Sequence, residues 1–278
     1  MIIQEGWDEK SMTAFQNEDV VHSSEQPDSH HQCGNEYCKT GIDELDLKLG
    51  GGIPSGNTVL MVGSSGSGKT TLSMQFLANG AKMGERGVFF TITEPLFKLT
   101  KNMENFSFYD KQMIEQGNVN IIDLRIISER LGLDAEKYSV EDASALLDVL
   151  KDIADELQVK RLVIDSITAL CYRLKTNEMI RDFIFKLGSS LAAMGCTTIL
   201  TSEVPPAQRG HLLYSKYGIE EFIADGIMYL GDVDRKGDLI RTLQLIKMRG
   251  TAHSRSKVAV SISSKYGVEI TPLLKSTG

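Results

Sequence analysis

Residues Gly63 to Thr70 spell G-S-S-G-S-G-K-T, a glycine-rich loop of the form G-x-x-x-x-G-K-[ST]. The chemistry this spacing can do is polyphosphate binding. Gly63, Gly66 and Gly68 let the backbone turn its N–H groups inward around phosphate oxygens, with Ser64, Ser65 and Ser67 between them. Lys69 is placed to neutralise the outer phosphates. The Thr70 hydroxyl, followed by Thr71, offers a ligand to Mg²⁺.

Such a loop only binds; hydrolysis also needs a metal-orienting acid and a group that activates water. Asp165 ends the apolar run Leu162-Val163-Ile164 and is the candidate acid for the metal. The competing reading is an acid that caps the following helix. Glu94 closes the segment G-V-F-F-T-I-T (Gly87–Thr93) and is the candidate base, against the plainer reading of a surface Glu before a helix begun by Pro95. In open α/β sheets ligands collect at the carboxyl ends of the strands, and both acids are expected there beside the loop.

The elements that must position these residues follow from periodicity. Val59–Val62 reads as a buried strand, and from Thr70 to Met83 the residues Leu72, Phe76, Leu77 and Met83 recur at helical intervals. The phosphates would thus sit at a helix N-terminus, where unpaired N–H groups and the dipole favour an anion. Strands are expected at Gly87–Thr93, Val119–Asp123, Arg161–Ser166 and Thr197–Glu203, with helices from Pro95, over Ala143–Leu157 and around Ile180–Met194. After Gly226 the pattern changes to short strands joined by turns: Gly226–Leu230, Leu239–Met248, Lys257–Ile262 and Gly267–Ile270. Alternating βα units followed by a meander imply an α/β fold, a mostly parallel twisted sheet flanked by helices with a C-terminal antiparallel extension.

Charge divides the chain. Residues 1–38 carry Glu5, Asp8, Glu9, Glu18, Asp19, Glu25, Asp28 and Glu36 against Lys10 alone, which accounts for the whole formal net charge of −7. Residues 1–38 therefore read as an acidic flexible tail and residues 39–278 as an electrically neutral domain. A neutral body gives no global attraction to nucleic acid. No apolar run approaches the length of a membrane span and the N-terminus lacks an apolar signal core, so a cytoplasmic location is expected. Cys33, Cys38, Cys171 and Cys196 then read as reduced thiols. His30, His31, Cys33 and Cys38 are soft ligands, but their spacing matches no common zinc module.

The chain resembles the RecA-like P-loop ATPases and, among them, the KaiC family. The resemblance spans Thr40 to Ile270 and rests on T-G-I-D-E-L-D-L-K-L-G-G-G-I-P-S-G (Thr40–Gly56), the phosphate loop, V-I-D-S, K-Y-G-I-E-E-F-I-A-D (Lys216–Asp225) and I-K-M-R-G-T-A-H (Ile246–His253). It implies ATP with Mg²⁺ as the ligand, ATP hydrolysis, and a homo-oligomeric, hexameric ring with nucleotide between subunits. It further implies that Lys247 and Arg249, two apart on one strand face, reach the γ-phosphate of a neighbouring subunit's nucleotide, with His253 nearby. The alternative for these cations is a solvated strand end. Thr93-Glu94 stands where the family has paired acids, so the base position is kept and its acidic neighbour is not. Glu221-Phe222 stands where the phosphorylating half of clock proteins has adjacent hydroxyls, which argues against autokinase activity. The leading expectation is an ATP-dependent switch acting on an unidentified protein partner. The second is a recombinase-like DNA-binding ATPase using the loops Cys171–Glu178 (Arg173, Lys175) and Val204–Ile219 (Arg209, His211, Tyr214, Lys216, Tyr217), whose cations are sparse.

Overall fold

The computed structural model describes residues 36–133, 138–205 and 214–273. β1 (Tyr37–Cys38), α1 (Asp43–Leu49) and β2 (Ile53–Pro54) open the fold, β1 pairing antiparallel with β2. β3 (Thr58–Gly63) leads into α2 (Lys69–Lys82), β4 (Gly87–Thr91), α3 (Leu96–Met103), α4 (Lys111–Glu115) and β5 (Val119–Asp123). α5 (Leu124–Arg130) and α6 (Val140–Glu156) precede β6 (Arg161–Asp165), and α7 (Ile167–Tyr172) and α8 (Asn177–Met194) precede β7 (Thr197–Glu203). After α9 (Glu220–Ile223) come β8 (Gly226–Arg235), β9 (Asp238–Met248), β10 (Val258–Ser263) and β11 (Gly267–Pro272). Tyr37–Cys38 is the first paired element among the described residues.

One nine-stranded sheet runs in the order β11-β10-β9-β8-β3-β7-β6-β4-β5. From β8 to β5 every pair is parallel; β8–β9, β9–β10 and β10–β11 are antiparallel. This is a RecA-type α/β sheet with the antiparallel extension expected from the meander. Its central strands are buried on both faces because helices cover both. Their period of two still sorts the side chains: Leu60, Val62, Val88, Phe90, Leu162 and Ile164 pack in the core shared with α6 and α8, whereas Val59, Met61, Phe89 and Val163 pack in the core shared with α1 and α2. No helix among the described residues is long and apolar enough to cross a membrane.

Helix ends are set locally. Ser139 and Asp142 form a reciprocal capping box at the start of α6, Thr176 accepts from the Met179 N–H at the start of α8, and Gly195 ends α8 in the left-handed region. At the start of β6, Arg161 is fully enclosed. Its guanidinium pairs with Glu85, donates to the Phe76 carbonyl at 2.8 Å and lies 4.6 Å from the Phe76 ring centroid. Gly80 makes the room: a Cβ there would stand 2.3 Å from Arg161 Nε. This buried cation is a structural bolt between α2 and the sheet.

Candidate functional site

The phosphate loop spans the gap between β3, which ends at Gly63, and α2, which starts at Lys69. Two of its glycines are required by contact. A Cβ on Gly63 would lie 2.5 Å from the Leu230 carbonyl oxygen, and one on Gly68 (φ 102°) would lie 2.6 Å from Ile262 Cδ1. Ser65 and Gly66 form an exposed tip, and Ser67 turns inward. Lys69 folds back and donates to the Gly63 carbonyl at 2.9 Å and the Ser64 carbonyl at 2.8 Å. Burial lowers its pKa, opposed by the negative charges of Glu203 and Asp165. The loop therefore stores a desolvated cation on neutral oxygens. The Ser67 hydroxyl is buried without a hydrogen-bond partner among the described residues. An ammonium without a carboxylate contact and an unused hydroxyl in one glycine cradle fit a polyphosphate.

Behind the loop, Thr70 Oγ1 donates to Asp165 Oδ2 at 2.7 Å, and Thr201 donates to Asp165 Oδ1. Asp165 is buried at the end of β6. It does not cap the next helix, because Ser166 does so by accepting from the Ala169 N–H at 3.3 Å. A buried carboxylate held by two hydroxyls beside a phosphate cradle suits a hard divalent cation such as Mg²⁺ with its retained water.

Glu94 sits less directly at the site. β4 stops at Thr91, two residues earlier than the sequence suggests, and Ile92–Glu94 bend away, held by Thr91 Oγ1 donating to the Glu94 carbonyl at 2.7 Å. The Glu94 carboxylate accepts from Asn102 Nδ2 at 2.8 Å and lies 3.9 Å from Lys98 Nζ. β7 and β6 separate β4 from β3, so Glu94 approaches the loop from three strands away. The structure brings Lys69, Thr70 and Asp165 into one cluster, with Glu94 on the neighbouring bend rather than inside it.

Lys247, Arg249 and His253 lie elsewhere. In the parallel pairing of β3 with β8, Gly63 stands opposite Leu230 and Val59 opposite Gly226; Gly226 in turn pairs with Met248. The two cations therefore flank the N-terminal edge of β3, whereas the phosphate loop leaves its C-terminal edge, about 13 Å further along the sheet at the usual rise per residue. Lys247 Nζ donates to the carbonyls of Glu221 (3.1 Å) and Ala224 (2.6 Å). Arg249 lies just beyond the end of β9, not on the strand itself. Its backbone N–H still bonds Asp225 O at 2.9 Å, and its Nη1 donates to Asp225 Oδ1 at 3.2 Å. Desolvation lowers the Lys247 pKa, and Arg249 adds to the lowering. Both cations thus share the corner formed by Glu221–Asp225, which is more structure than a solvated strand end. His253 follows in the connection to β10, with both ring nitrogens buried and unpartnered among the described residues.

Two residues at the end of β7 were not singled out by sequence: Thr201, which holds Asp165, and Glu203, which stands opposite Gly63 in the parallel register. Their signal was present in T-T-I-L-T-S-E, a strand ending in polar residues, but nothing in the spacing says that β7 lies between β3 and β6. Of the residues proposed for a DNA groove, Lys175 and Lys216 are exposed, whereas Arg173, Tyr214 and Tyr217 are engaged within the fold. Arg173 donates to Tyr138 Oη at 2.7 Å, Tyr217 Oη donates to the Thr168 carbonyl at 3.3 Å, and Tyr214 packs edge-on against Tyr229. Arg209 and His211 lie outside the described residues, as do His30, His31 and Cys33. Cys38, the remaining member of that cluster, is buried in the α1–α2 core, where burial pushes its thiol up to about 11. Among the described residues no group of three or more His, Cys, Asp or Glu side chains is gathered for a metal.

Known proteins share this arrangement. The family described as ATPase: KaiC matches residues 38–275. A UPF0273 protein of Thermotoga maritima is 38% identical over 237 residues, covering 84% of this chain and 95% of that protein. Circadian clock protein KaiC3 of Synechocystis is 32% identical over 240 residues, 86% of this chain but only 46% of the clock protein. The crystal structure of a KaiC-like protein from Pyrococcus horikoshii superimposes with a TM-score of 0.74 at 35% identity, covering 86% of this chain and all of that one. By the family match over residues 38–275 and these relatives, the chain belongs to the KaiC ATPase family as a single KaiC-like domain.

Proposed function

We propose that the chain binds Mg²⁺-ATP on the Gly63–Thr71 loop and hydrolyses it slowly within a homo-oligomeric ring, acting as a nucleotide-dependent switch for a protein partner in the cytoplasm. One observation carries the reading. The phosphate loop and the pair Lys247–Arg249 lie at opposite edges of the same sheet, so one subunit does not bring both to one nucleotide. A head-to-tail assembly would bring the cations of one subunit to the loop of the next, and closure of that contact makes a ring.

Within this reading Lys69 leaves its loop carbonyls for phosphate oxygens, and the loop N–H groups supply the remaining donors. Thr70 and Asp165 would hold the metal, which when bound offsets phosphate charge. Glu94 orients the attacking water and holds its proton. Lys247 and Arg249 place positive charge where negative charge develops during transfer, and His253 offers its unpartnered nitrogens beside the same nucleotide. The acidic residues 1–38 serve as a docking or regulatory arm on a domain that begins near residue 39. Glu221-Phe222 supplies no hydroxyl acceptor, so the turnover is hydrolysis rather than self-phosphorylation.

Mixed subunits test this directly. Lys69→Ala and Lys247→Ala proteins, each inactive alone, should recover ATPase activity when exchanged together. In an equal random mixture about a quarter of the contacts pair an intact loop with intact cations. A mixture as inactive as its components, under conditions where wild-type subunits exchange, would refute the shared site.

A further inference from the structure

Resting on the Mg²⁺-nucleotide reading above, we infer that Thr201 is the positioning residue for the metal site: its hydroxyl sets the orientation of Asp165, and through it that of Thr70. Thr201 is fully buried on β7, between the strand that carries the phosphate loop and the strand that carries the acid. Met61 of β3 is its register partner on one side; on the other, Leu200 pairs with Ile164, which brings Thr201 level with Asp165.

The hydroxyl donates to Asp165 Oδ1 while Thr70 donates to Oδ2 at 2.7 Å. Each carboxylate oxygen thus has one dedicated neutral donor. Neutral donors leave the full negative charge of the carboxylate available to a cation, where a lysine or arginine would cancel it. With Oδ1 fixed, the carboxylate cannot turn about its Cβ–Cγ bond. Oδ2 then holds the Thr70 proton and leaves the Thr70 oxygen lone pairs free to face the cradle. Outer partners of this kind are worth roughly 10- to 100-fold in metal affinity.

The strand supplies its own control. Ser202, the next residue, is equally buried, but its hydroxyl bonds Thr168 Oγ1 at 3.1 Å rather than Asp165. Loss of a buried hydroxyl on β7 can therefore be separated from loss of the bond to the acid.

The experiment is calorimetric titration of the full chain with ADP at a series of Mg²⁺ concentrations. Thr201→Val should raise the Mg²⁺ concentration giving half-maximal tightening by roughly 10- to 100-fold while leaving metal-free ADP affinity within about twofold. Thr201→Ser should recover most of the wild-type Mg²⁺ dependence, and Ser202→Ala should not move it. If Thr201→Val does not fold, Thr201→Cys, a weaker donor of similar size, carries the same expectation. Wild-type Mg²⁺ dependence in the folded variant, or an equal loss of metal-free affinity, would overturn the inference while leaving nucleotide binding intact. Wild-type protein that binds ADP with no Mg²⁺ effect would remove the metal site on which the inference depends, and no binding of ADP at all would instead remove the reading beneath both.

Discussion

Two lysines at opposite ends of one sheet are held in the same way. Lys69 rests on the carbonyls of Gly63 and Ser64, and Lys247 rests on those of Glu221 and Ala224; burial lowers the pKa of both. Their surroundings differ in one respect. Two carboxylates act on each, Asp165 and Glu203 on Lys69 and Asp225 and Glu221 on Lys247, but only Lys247 also shares its corner with a second cation, Arg249. A lysine on carbonyl oxygens has exchanged water for neutral acceptors and keeps its charge uncompensated by contact. An anion that replaces those carbonyls gains a charge-assisted bond. At the Lys69 end the anion's place is built by the same chain. At the Lys247 end the chain builds two cations, of which Arg249 is paired with Asp225 and Lys247 is held by carbonyls alone, with no phosphate cradle beside them.

The largest effect that tests this difference is a split between binding and turnover. Lys69→Ala should weaken ATP binding by at least roughly 30-fold, since truncating one member of a buried charged contact costs several kcal/mol. Lys247→Ala should leave affinity within about threefold but cut hydrolysis by roughly 100-fold or more, the scale of removing a transition-state donor. Equilibrium binding and single-turnover hydrolysis on the same preparations read the two quantities. If both variants lose affinity equally, the two ends do not play different parts.

Arg161 sharpens the comparison as a third buried cation whose partners are complete. Carboxylate, carbonyl and aromatic ring surround it, and Gly80 is small in order to admit it. Gly80→Ala should therefore reduce stability by about 1–3 kcal/mol, because overpacking against the guanidinium outweighs the roughly 1 kcal/mol helical advantage of alanine. The denaturation midpoint should fall while ATP affinity of the folded protein is unchanged. A stabilised Gly80→Ala variant would show that the bolt around Arg161 is loose.

Much of this arrangement is legible in the residues, and what is not has a physical reason. The loop Gly63–Thr70, the strand before it and the acid at Asp165 can be read because each is local: glycine spacing, an apolar run and a strand-end carboxylate. The change at Gly226 from βα units to a meander is likewise carried by turn residues such as Lys236-Gly237, which adopt positive φ between β8 and β9. What cannot be read is sheet order. β7 comes late in the chain yet inserts between β3 and β6, and only that crossover brings Thr201 to Asp165 and Glu203 to the phosphate loop. The end of β4 differs from the sequence expectation for a local reason. Ile92 and Thr93 have strand-like side chains, and the Ile92 N–H still reaches the Asp165 carbonyl at 3.0 Å, but the bend fixed by Thr91 on the Glu94 carbonyl ends the strand there. The short Tyr37–Cys38 strand was hidden by its acidic neighbours; it is recruited only because Ile53–Pro54 offers an edge to pair with.

Glu203 supplies the smallest and most diagnostic effect. It stands opposite Gly63 at the end of β7, and its charge is the foremost one supporting the protonated form of Lys69. Phosphate oxygens arriving at Lys69 must share that cation with a carboxylate of the same sign as their own. Removing the carboxylate charge while keeping its shape, as Glu203→Gln does, should therefore tighten nucleotide binding, by about twofold to fivefold for an exposed charge. The gain should shrink as salt is raised, because exposed charges are screened within a Debye length, about 8 Å at physiological ionic strength. At the Lys247 corner Arg249 assists an anion, and Arg249→Gln should act in the opposite direction. Weaker binding by Glu203→Gln would reverse the assignment: Glu203 would then contribute to holding the loaded site, as a second acid of the metal, and the Lys69 end would be built to keep its ligand rather than to exchange it.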